Sequence, residues 1–453
     1  MHRGTPTVVR IPLLVVAVLC VLAPAPAAES PDAIILFTGA VNGYLDQCGC
    51  ARFPLGGLDR RVALGKALTA VHPEARLIWL DAGNFSDTPG PAGEVKTRGL
   101  VEAMSRMGYA AVGVGERDLL MGVESFTALT GEATFPLIGT NLVRRSTGEP
   151  WLSPGTVVRA DGLRIAVLSV TRENPAFRRE LPGGDAIVTD SPEAAVRRFL
   201  PRFRSTADVV VVMALMPIDE ARLLVRRIPE IDLVLGAHGS ELTPEAIREG
   251  RSLVVYAGNE GKNVARVDIW APARPGDRPT LAPTVVALGE TLKPDPEMEA
   301  FVVERLAAAQ EAERAARTAE RPQAADGDDG IRYVGSGTCA ACHDWIVTDW
   351  SGTRHARAWK TLEKSPQGFR RNCVSCHVTG SGRPTGFVDQ ETTPHLLSVG
   401  CEACHGPAGA HVRAPERPYG KVSIATCTSC HTAEMDPTFN YYRDLKAVSH
   451  GMR

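Results

Sequence analysis

The sequence predicts an α/β domain followed by a smaller domain of helices and loops. Three observations predict this fold class. The chain has 453 residues, more than one hydrophobic core usually supports. From residue 32 to about residue 290, short β-branched runs alternate with amphipathic helical stretches. Eight of the 11 cysteines lie between Cys339 and Cys430, where the strand pattern is lost and few apolar runs remain to build a core.

The composition excludes a basic nucleic-acid-binding protein. Lys and Arg total 50 against 52 Asp and Glu, a formal net charge of -2, which gives no general attraction to nucleic acid or to an anionic membrane. With 44% apolar residues, the chain is expected to be globular.

The N-terminus predicts export. Arg3 and Arg10 precede an apolar run at residues 11–22, and Ala25 and Ala27 form a small-residue cleavage site. A membrane anchor would need about 18 apolar residues, and this run is shorter. We therefore expect residues 1–27 to be a signal peptide, the mature protein to be periplasmic, and no membrane span to remain after cleavage.

The elements of the α/β domain follow in order. Strands are predicted at residues 33–37, 76–81, 110–114, 156–170 (a hairpin turning at Asp161 and Gly162), 208–213, 232–235, 252–256 and 265–270. Helices are predicted at residues 58–71, 96–107, 192–203 and 218–228.

The domain boundaries follow from changes in composition. Residues 28–295 form the α/β domain. Residues 296–330 form a linker, consisting of an exposed helix rich in Ala, Glu and Arg and then a polar stretch with proline and glycine. Residues 331–453 form the C-terminal domain.

Four segments of the C-terminal domain share the pattern CxxCH. The cysteine pairs are Cys339 and Cys342, Cys373 and Cys376, Cys401 and Cys404, and Cys427 and Cys430; the histidines that follow are His343, His377, His405 and His431. Two thiols at this spacing can add to the vinyl groups of a haem while the histidine ligates its iron. Zinc sites and a disulfide framework are the alternatives, but four copies in an exported chain favour haem. We expect four c-type haems, whose porphyrins supply the missing apolar interior.

Second axial ligands are needed to close each iron. The domain holds four histidines outside the motifs, namely His355, His395, His411 and His450, one for each haem. Met435 and Met452 are alternative ligands. Ligation by two histidines closes the iron to substrate, which suits electron transfer better than catalysis.

The C-terminal domain resembles the tetrahaem cytochromes c that accept electrons from hydroxylamine oxidoreductase. Besides the motifs, the resemblance rests on Trp350-Ser351, His355-Ala356, Val378-Thr379-Gly380, His395-Leu396, Val399-Gly400, Gly406-Pro407, His411, Pro437 and Phe439. It implies stacked haem pairs, an electron-carrier role with redox partner proteins, and second ligands at His355, His395 and His411. The family includes members with one five-coordinate haem, so a histidine that fails to bind would leave an iron open to small nitrogen oxides.

The N-terminal domain resembles the 5'-nucleotidase branch of the calcineurin-like metallophosphoesterases. The similarity covers roughly residues 33–290 and rests on the segments 35–44, 56–61, 80–84, 109–115 and 233–238. It implies an α/β/β/α sandwich whose strand ends hold two metals that bind phosphate and activate water.

The metal ligands of that family are largely replaced. Ala40 and Asn42 stand where the family has Asp and His, Asn84 replaces the bridging Asp, and Glu116-Arg117-Asp118 replaces Asn-His-Glu. Leu215 and Ser240 occupy later histidine positions, and His238 remains. We therefore expect a degenerate site at Asp81, Asn84, Glu116, Asp118 and His238 that holds no divalent metal. A single cation on Asp81, Glu116 and Asp118 is the alternative.

Cys48 and Cys50 follow the first strand. They could form a reducible disulfide, a soft-metal site or a purely structural pair.

The expected function is electron transfer through four haems, with an inactive phosphoesterase-like domain that docks a partner or binds a ligand. One alternative is an oxidoreductase acting on small nitrogen species at an open haem. The other is a metal-dependent nucleotide or sugar-phosphate hydrolase with an accessory cytochrome.

Overall fold

The computed structural model describes residues 30–47, 54–160, 162–274, 276–319, 331–363, 371–432, 436 and 438–450. The predicted signal peptide, Cys48, Cys50, Met435 and Met452 lie outside these residues. Within them, no helix combines the length and the apolar character needed to cross a membrane.

The first sheet contains β1 (Ala33–Thr38), β2 (Arg76–Asp81), β3 (Tyr109–Gly113), β4 (Leu137–Ile138), β14 (Asn263–Trp270) and β15 (Thr280–Ala287). Its order is β15-β14-β1-β2-β3-β4, with β1 to β4 parallel and β14 and β15 antiparallel at one side. The sequence did not predict β15. This strand carries Pro283, which lacks a backbone donor and is tolerated because β15 is an edge strand.

The second sheet contains β6 (Thr156–Ala160), β7 (Leu163–Thr171), β10 (Val209–Leu215), β11 (Leu233–Gly236), β12 (Ile247–Glu249) and β13 (Ser252–Tyr256), in the order β12-β13-β11-β10-β7-β6. The predicted hairpin is present as the antiparallel pair β6 and β7. A third, small antiparallel sheet contains β5 (Leu142–Arg144), β8 (Arg179–Glu180) and β9 (Ala186–Thr189), in the order β5-β9-β8.

The helices of this domain are α1 (Leu58–Val71), α2 (Pro91–Arg106), α3 (Val123–Thr130), α4 (Pro192–Arg204), α5 (Ile218–Arg227) and α6 (Pro296–Ala319). α1 has the predicted bounds. α2 begins five residues before its predicted start, because Pro91 stands in its first turn, where a missing backbone donor is not needed.

Three apolar layers hold the domain together. Alternate residues of both sheets, such as Ile35 and Val211, pack between the sheets. The other face of the first sheet packs under α1, α2 and α6, and the other face of the second sheet packs under α4 and α5. The fold is therefore the predicted α/β/β/α sandwich.

α6 corrects the expectation of an exposed linker helix at residues 296–320. Met298, Phe301, Val302, Leu306 and Ala309 are all buried in the layer that contains α1 and α2. These residues recur at three- and four-residue steps and so form one apolar face of the helix. The first half of the predicted linker thus belongs to the core of the N-terminal sandwich.

The C-terminal region consists of short helices and loops, as predicted. Its helices are α7 (Ser336–Ser351), α8 (Ala358–Leu362), α9 (Arg371–His377), α10 (Cys401–His405), α11 (Gly409–Arg413), α12 (Ile424–Thr428) and α13 (Tyr441–Asp444), with 3-10 turns at His355–Arg357, Pro394–Leu396 and Leu445–Ala447. Its apolar cluster of buried residues is small and comprises Leu362, Val374, Val378, Phe387 and Leu396.

Candidate functional site

The C-terminal region brings six of its histidines together as three facing pairs. The ring centroids are 6.5 Å apart for His343 and His411, 6.1 Å for His355 and His431, and 5.7 Å for His405 and His450. Each pair joins one motif histidine to one histidine predicted as a second ligand. Two imidazoles bonded to opposite sides of a metal at about 2 Å have centroids about 6 Å apart. The spacing therefore fits an iron between the rings.

Three of the four motif histidines are oriented by hydrogen bonds at Nδ1. His377 donates to the carbonyl of Ala358 at 2.8 Å, and His405 donates to the carbonyl of Gly420 at 3.0 Å. His431 Nδ1 lies 2.8 Å from the Asp436 carboxylate. These bonds fix the tautomer and leave Nε2 for a metal, an arrangement usual for metal-bound histidine.

The histidines predicted as second ligands differ from the motif histidines in their surroundings. Nδ1 of His411 is buried and has no hydrogen-bond partner in the described structure. Burial, and to a lesser extent the neighbouring His431, lowers the pKa of His355. Burial and the neighbouring His405 and His343 lower the pKa of His450. Both shifts favour the neutral form of the ring, which is the form that binds metals.

His377 and His395 are not brought together, in contrast to the expectation of one second ligand per haem. In the described part of the chain, no other histidine ring faces His377. The 3-10 turn at Pro394–Leu396 buries Leu396, and His395 is exposed beside a cavity of about 330 Å³ that Arg332 and Arg413 also line. Since Leu396 occupies the interior side of this short turn, its neighbour His395 faces outward.

The cysteines place the four motifs close to one another. Cys339 lies close enough to Cys401 for their thiols to interact, and the same holds for Cys430 and Cys376. Cys404 of the third motif also interacts with Cys427 and Cys430 of the fourth. Across the described residues, no disulfide joins the motif cysteines. The first motif is therefore a neighbour of the third, and the fourth motif is a neighbour of both the second and the third.

Glu402, inside the third motif, holds the first and third motifs together through hydrogen bonds. Its carboxylate accepts hydrogen bonds from the backbone N–H groups of Val334 at 3.0 Å, Gly335 at 2.7 Å and Ala408 at 2.8 Å. The side chain is only 2% exposed, so these bonds replace the water that the carboxylate loses. Glu402 thus ties the segment before the first motif to the third motif.

Sequence reasoning did not find the roles of Glu402 and Asp436. Glu402 follows the first cysteine of its motif directly, and Asp436 lies five residues after His431. Neither spacing is a known signature, because both contacts depend on how loops fold around the motifs.

In the N-terminal sandwich, the predicted site lies at the carboxyl ends of the parallel strands, where α/β folds usually bind ligands. The loops after β1 and β2 are joined there by hydrogen bonds from Ala40 N to Gly83 O at 2.8 Å and from Asn42 N to Asn84 O at 3.0 Å. Ala40, Asn42 and Asn84 have φ values of 49°, 55° and 53°, which are uncommon for residues other than glycine. The two loops are therefore joined by hydrogen bonds and carry left-handed backbone conformations at this edge of the sheet.

The two buried aspartates of this site are engaged by the protein itself. Asp81 accepts from the Thr38 hydroxyl at 2.6 Å and from Gly83 N at 2.8 Å. Asp118 accepts from the backbone N–H groups of Asn84 at 2.6 Å, Ser86 at 2.9 Å and Gly115 at 2.9 Å. Both carboxylates are fully buried, and they act as acceptors for the loops around them.

Desolvation dominates the electrostatics of these carboxylates. Burial raises the pKa of Asp81 to about 6 against the opposing hydrogen bonds of Thr38 and Gly83. Burial likewise raises the pKa of Asp118, although its backbone hydrogen bonds oppose the shift.

The remaining candidates do not converge on one point. Glu116 accepts from the Asn174 side chain at 3.0 Å, and Asn84 accepts from Arg117 N at 2.9 Å. His238 is 45% exposed and lies 3.3 Å from Glu241. In the described ranges, no three His, Cys, Asp or Glu side chains are grouped so that they could hold a metal ion.

Comparison with known proteins assigns a relative to each region. Residues 338–406 match the family model described as cytochrome c554 and c-prime. Cytochrome c-554 of Nitrosomonas europaea is 31% identical over 104 residues, which cover 20% of this chain and 44% of that protein. A 5'-nucleotidase of Vibrio cholerae is 25% identical over 171 residues, which cover 34% of this chain and 30% of that protein. The chain thus spans less than half the length of either sequence relative.

A solved structure shows the same fold in the N-terminal region. The calcineurin-like phosphoesterase YfkN of Bacillus subtilis superposes with a TM-score of 0.51 at 16% identity, covering 62% of this chain and 98% of that one. The chain therefore joins an α/β/β/α domain, which is similar to a 5'-nucleotidase and has the fold of a calcineurin-like phosphoesterase, to a C-terminal region that is similar to cytochrome c554.

Proposed function

We propose that this chain is an exported electron-transfer protein that holds four covalently attached c-type haems, one at each CxxCH motif. The observation that carries the proposal is the set of three histidine pairs, each at the spacing of two ligands across one iron. Haem, when bound, supplies a one-electron carrier whose potential the axial ligands and their surroundings set.

Three of the four motifs are proposed to hold closed irons. The ligand pairs are His343 with His411, His405 with His450, and His431 with His355. Two histidines leave no position for substrate, which suits electron transfer. The neighbouring motif thiols support short distances between adjacent carriers.

The second motif supports a second candidate function, an oxidoreductase acting on small nitrogen species. Within the described residues, Nδ1 of His377 donates a hydrogen bond to the carbonyl of Ala358, but no second histidine lies opposite the His377 ring. Here His377 would hold the iron from one side and leave the other side open to a small ligand.

The N-terminal domain is proposed to bind a ligand or dock a partner without hydrolysing phosphate esters. Asp81 and Asp118 already accept five hydrogen bonds between them from nearby protein groups. A dinuclear site needs several hard or imidazole ligands that converge on metals about 3.5–4 Å apart. Phosphate release from nucleotides with added divalent metal would contradict the proposal and favour the hydrolase alternative.

The proposal also covers the cellular location, the domain boundaries and the partners of the protein. We propose a periplasmic protein with a signal peptide at residues 1–27, a sandwich domain that begins near residue 28, and a cytochrome domain at residues 331–453. Its partners are redox proteins and not nucleic acids, in line with the near-zero net charge.

The main test is the mass and spectrum of protein made in a haem-attaching host. We expect a mass that includes four covalent haems and a reduced spectrum dominated by low-spin haem. Carbon monoxide should bind to about one haem per chain, because only the second motif is proposed to be open. Colourless protein would end the cytochrome proposal, and no carbon monoxide binding would end the candidate function at His377.

Exchange of single histidines tests the ligand pairs. His450→Ala should raise carbon monoxide binding by one haem per chain, because His405 then has no partner across its iron. His395→Ala is the matched control and should leave the binding unchanged, since His395 is exposed and outside the three pairs. Equal effects of the two variants would contradict the pairing.

A further inference from the structure

The motif histidines differ in the group that accepts their Nδ1 proton. His405 donates to a neutral backbone carbonyl, that of Gly420, at 3.0 Å. His431 is bonded instead to a carboxylate, that of Asp436, at 2.8 Å. The two positions share one feature, since each motif histidine lies opposite one further histidine, His450 or His355. They also differ in the aromatic ring beside the motif histidine, which is Tyr419 at 5.9 Å for His405 and Phe439 at 4.6 Å for His431.

We propose that Asp436 is a positioning residue that holds the iron at His431 and His355 at a lower reduction potential than the iron at His405 and His450. The inference rests on the proposed function, because it assumes haem at both motifs. It concerns the order of potentials within the chain, which the assignment of four haems leaves open.

The physical reason is the strength of the hydrogen bond at Nδ1. A bond from an imidazole to a carboxylate is charge-assisted and roughly twice as strong as a bond to a neutral acceptor. The carboxylate draws the Nδ1 proton away from the ring, which makes the opposite nitrogen of His431 a better electron donor. A stronger donor stabilises the oxidised iron more than the reduced iron and so lowers the reduction potential.

The surroundings of Asp436 keep its carboxylate in place. Its second oxygen accepts from the Thr438 hydroxyl at 3.1 Å, so the side chain is held at both oxygens.

The first test is a redox titration of the four-haem protein, followed by its optical and low-spin EPR spectra. Asp436→Asn keeps the size of the side chain and a neutral acceptor but removes the charge. It should raise the reduction potential of one haem by about 59 mV, which corresponds to a tenfold change in the equilibrium constant of a one-electron reduction. The EPR signal of the same haem should also shift. A variant with four haems and unchanged potentials would overturn the inference.

Asp444→Asn is the matched control. Asp444 is close enough to His431 to interact with it electrostatically, but its hydrogen bonds go to Arg443 and Asn440. This variant removes a charge from the same neighbourhood without removing a bond to the imidazole, so it should shift the potential far less. An equal shift would overturn the role of the hydrogen bond.

A second measurement keeps Asp436 in place and assigns each reduction step of the native protein. His355→Met and His450→Met should each raise the potential of one haem, because methionine ligation favours the reduced iron. The step moved by His355→Met should be the lower of the two in the unmodified protein, and the reverse order would overturn the inference. If neither variant moved any step, the ligand pairs of the proposed function would fail instead.

Discussion

Among single residues, Asp81 is a predicted site residue that lies entirely in the protein interior. The carboxylate is fully buried at the end of β2 and bonded to Thr38 and Gly83. Its companion Asp118 is held by three backbone N–H groups. Carboxylates in such surroundings stabilise loops, and their cost of burial makes stability depend on pH.

Asp81→Asn should therefore change how stability depends on pH. The pKa of Asp81 is about 6 in the folded chain against an ordinary value of 3.8, so its protonated form favours folding. That contribution is complete below pH 3.8 and is lost as the pH rises through about 6. Relative to the variant, the native chain should lose up to about 3 kcal/mol of unfolding free energy between pH 4 and pH 7.

Urea unfolding of the sandwich, followed by far-UV circular dichroism at several pH values, measures this difference. The comparison between the two proteins removes the contributions of the other ionisable groups. If the unfolding free energies of the two proteins changed in parallel from pH 4 to pH 7, burial would not raise the pKa of Asp81 in the folded chain.

At the scale of elements, α6 is part of the sandwich and not a free connector. Phe301 is 4% exposed, and the guanidinium groups of Arg106 and Arg305 lie 4.5 Å and 5.1 Å from its ring centre. Phe301→Ala should lower the unfolding free energy of the sandwich by about 3–5 kcal/mol, because it leaves a cavity between α6 and α2.

Val303→Ala provides the control on the same helix. Val303 is 63% exposed, so its truncation should change the unfolding free energy by no more than about 0.5 kcal/mol. Denaturant unfolding of the full chain compares the two variants. If the Phe301→Ala protein were as stable as the control, α6 would not be part of the core of the sandwich.

Glu402 is the corresponding link among the short elements of the cytochrome region. Glu402→Gln puts an amide group where the carboxylate now accepts from Val334, Gly335 and Ala408. Because hydrogen bonds to a buried charged group are stronger than neutral ones, the haem-loaded region should lose about 2 kcal/mol of stability. Thermal unfolding followed at the haem absorption band measures the loss.

The exposed Glu416 gives the matched substitution, Glu416→Gln, which should melt with the native protein. Coincident melting of all three proteins would mean that the buried carboxylate does not fasten the two motifs.

For the whole molecule, the two regions differ in what fills their interiors. The sandwich has three extensive apolar layers, whereas the buried apolar cluster of the cytochrome region contains five residues. Several large apolar side chains of this region are exposed, among them Trp345 at 51% and Tyr442 at 81%. The porphyrins are the groups expected to cover such surface.

Protein made without haem attachment should therefore fold only in part. Brief proteolysis should remove the region that follows residue 331 and leave a resistant fragment that contains the sandwich and α6. The haem-loaded protein is the control and should resist cleavage in both regions. Mass spectrometry of the fragments decides the outcome, and a protected C-terminal region without haem would contradict the role of the porphyrins as its core.

The sequence alone was sufficient for features that depend on local pattern. The bounds of β2 and α1 follow from residue periodicity. The CxxCH motifs predict haem attachment from local pattern, because the two thiols and the histidine lie within five consecutive residues. Pro283 hid the edge strand β15, because a proline tolerated only at an edge looks like a strand breaker in the sequence.

Only the tertiary structure decided which groups meet. It placed His450 opposite His405 and left His395 exposed and outside the three histidine pairs, whereas the sequence offered both histidines as second ligands. It also set Asp436 against His431 and buried one face of α6. Ligand pairing joins residues that are tens of positions apart, so it depends on the path of the intervening loops, which the local residue pattern does not specify.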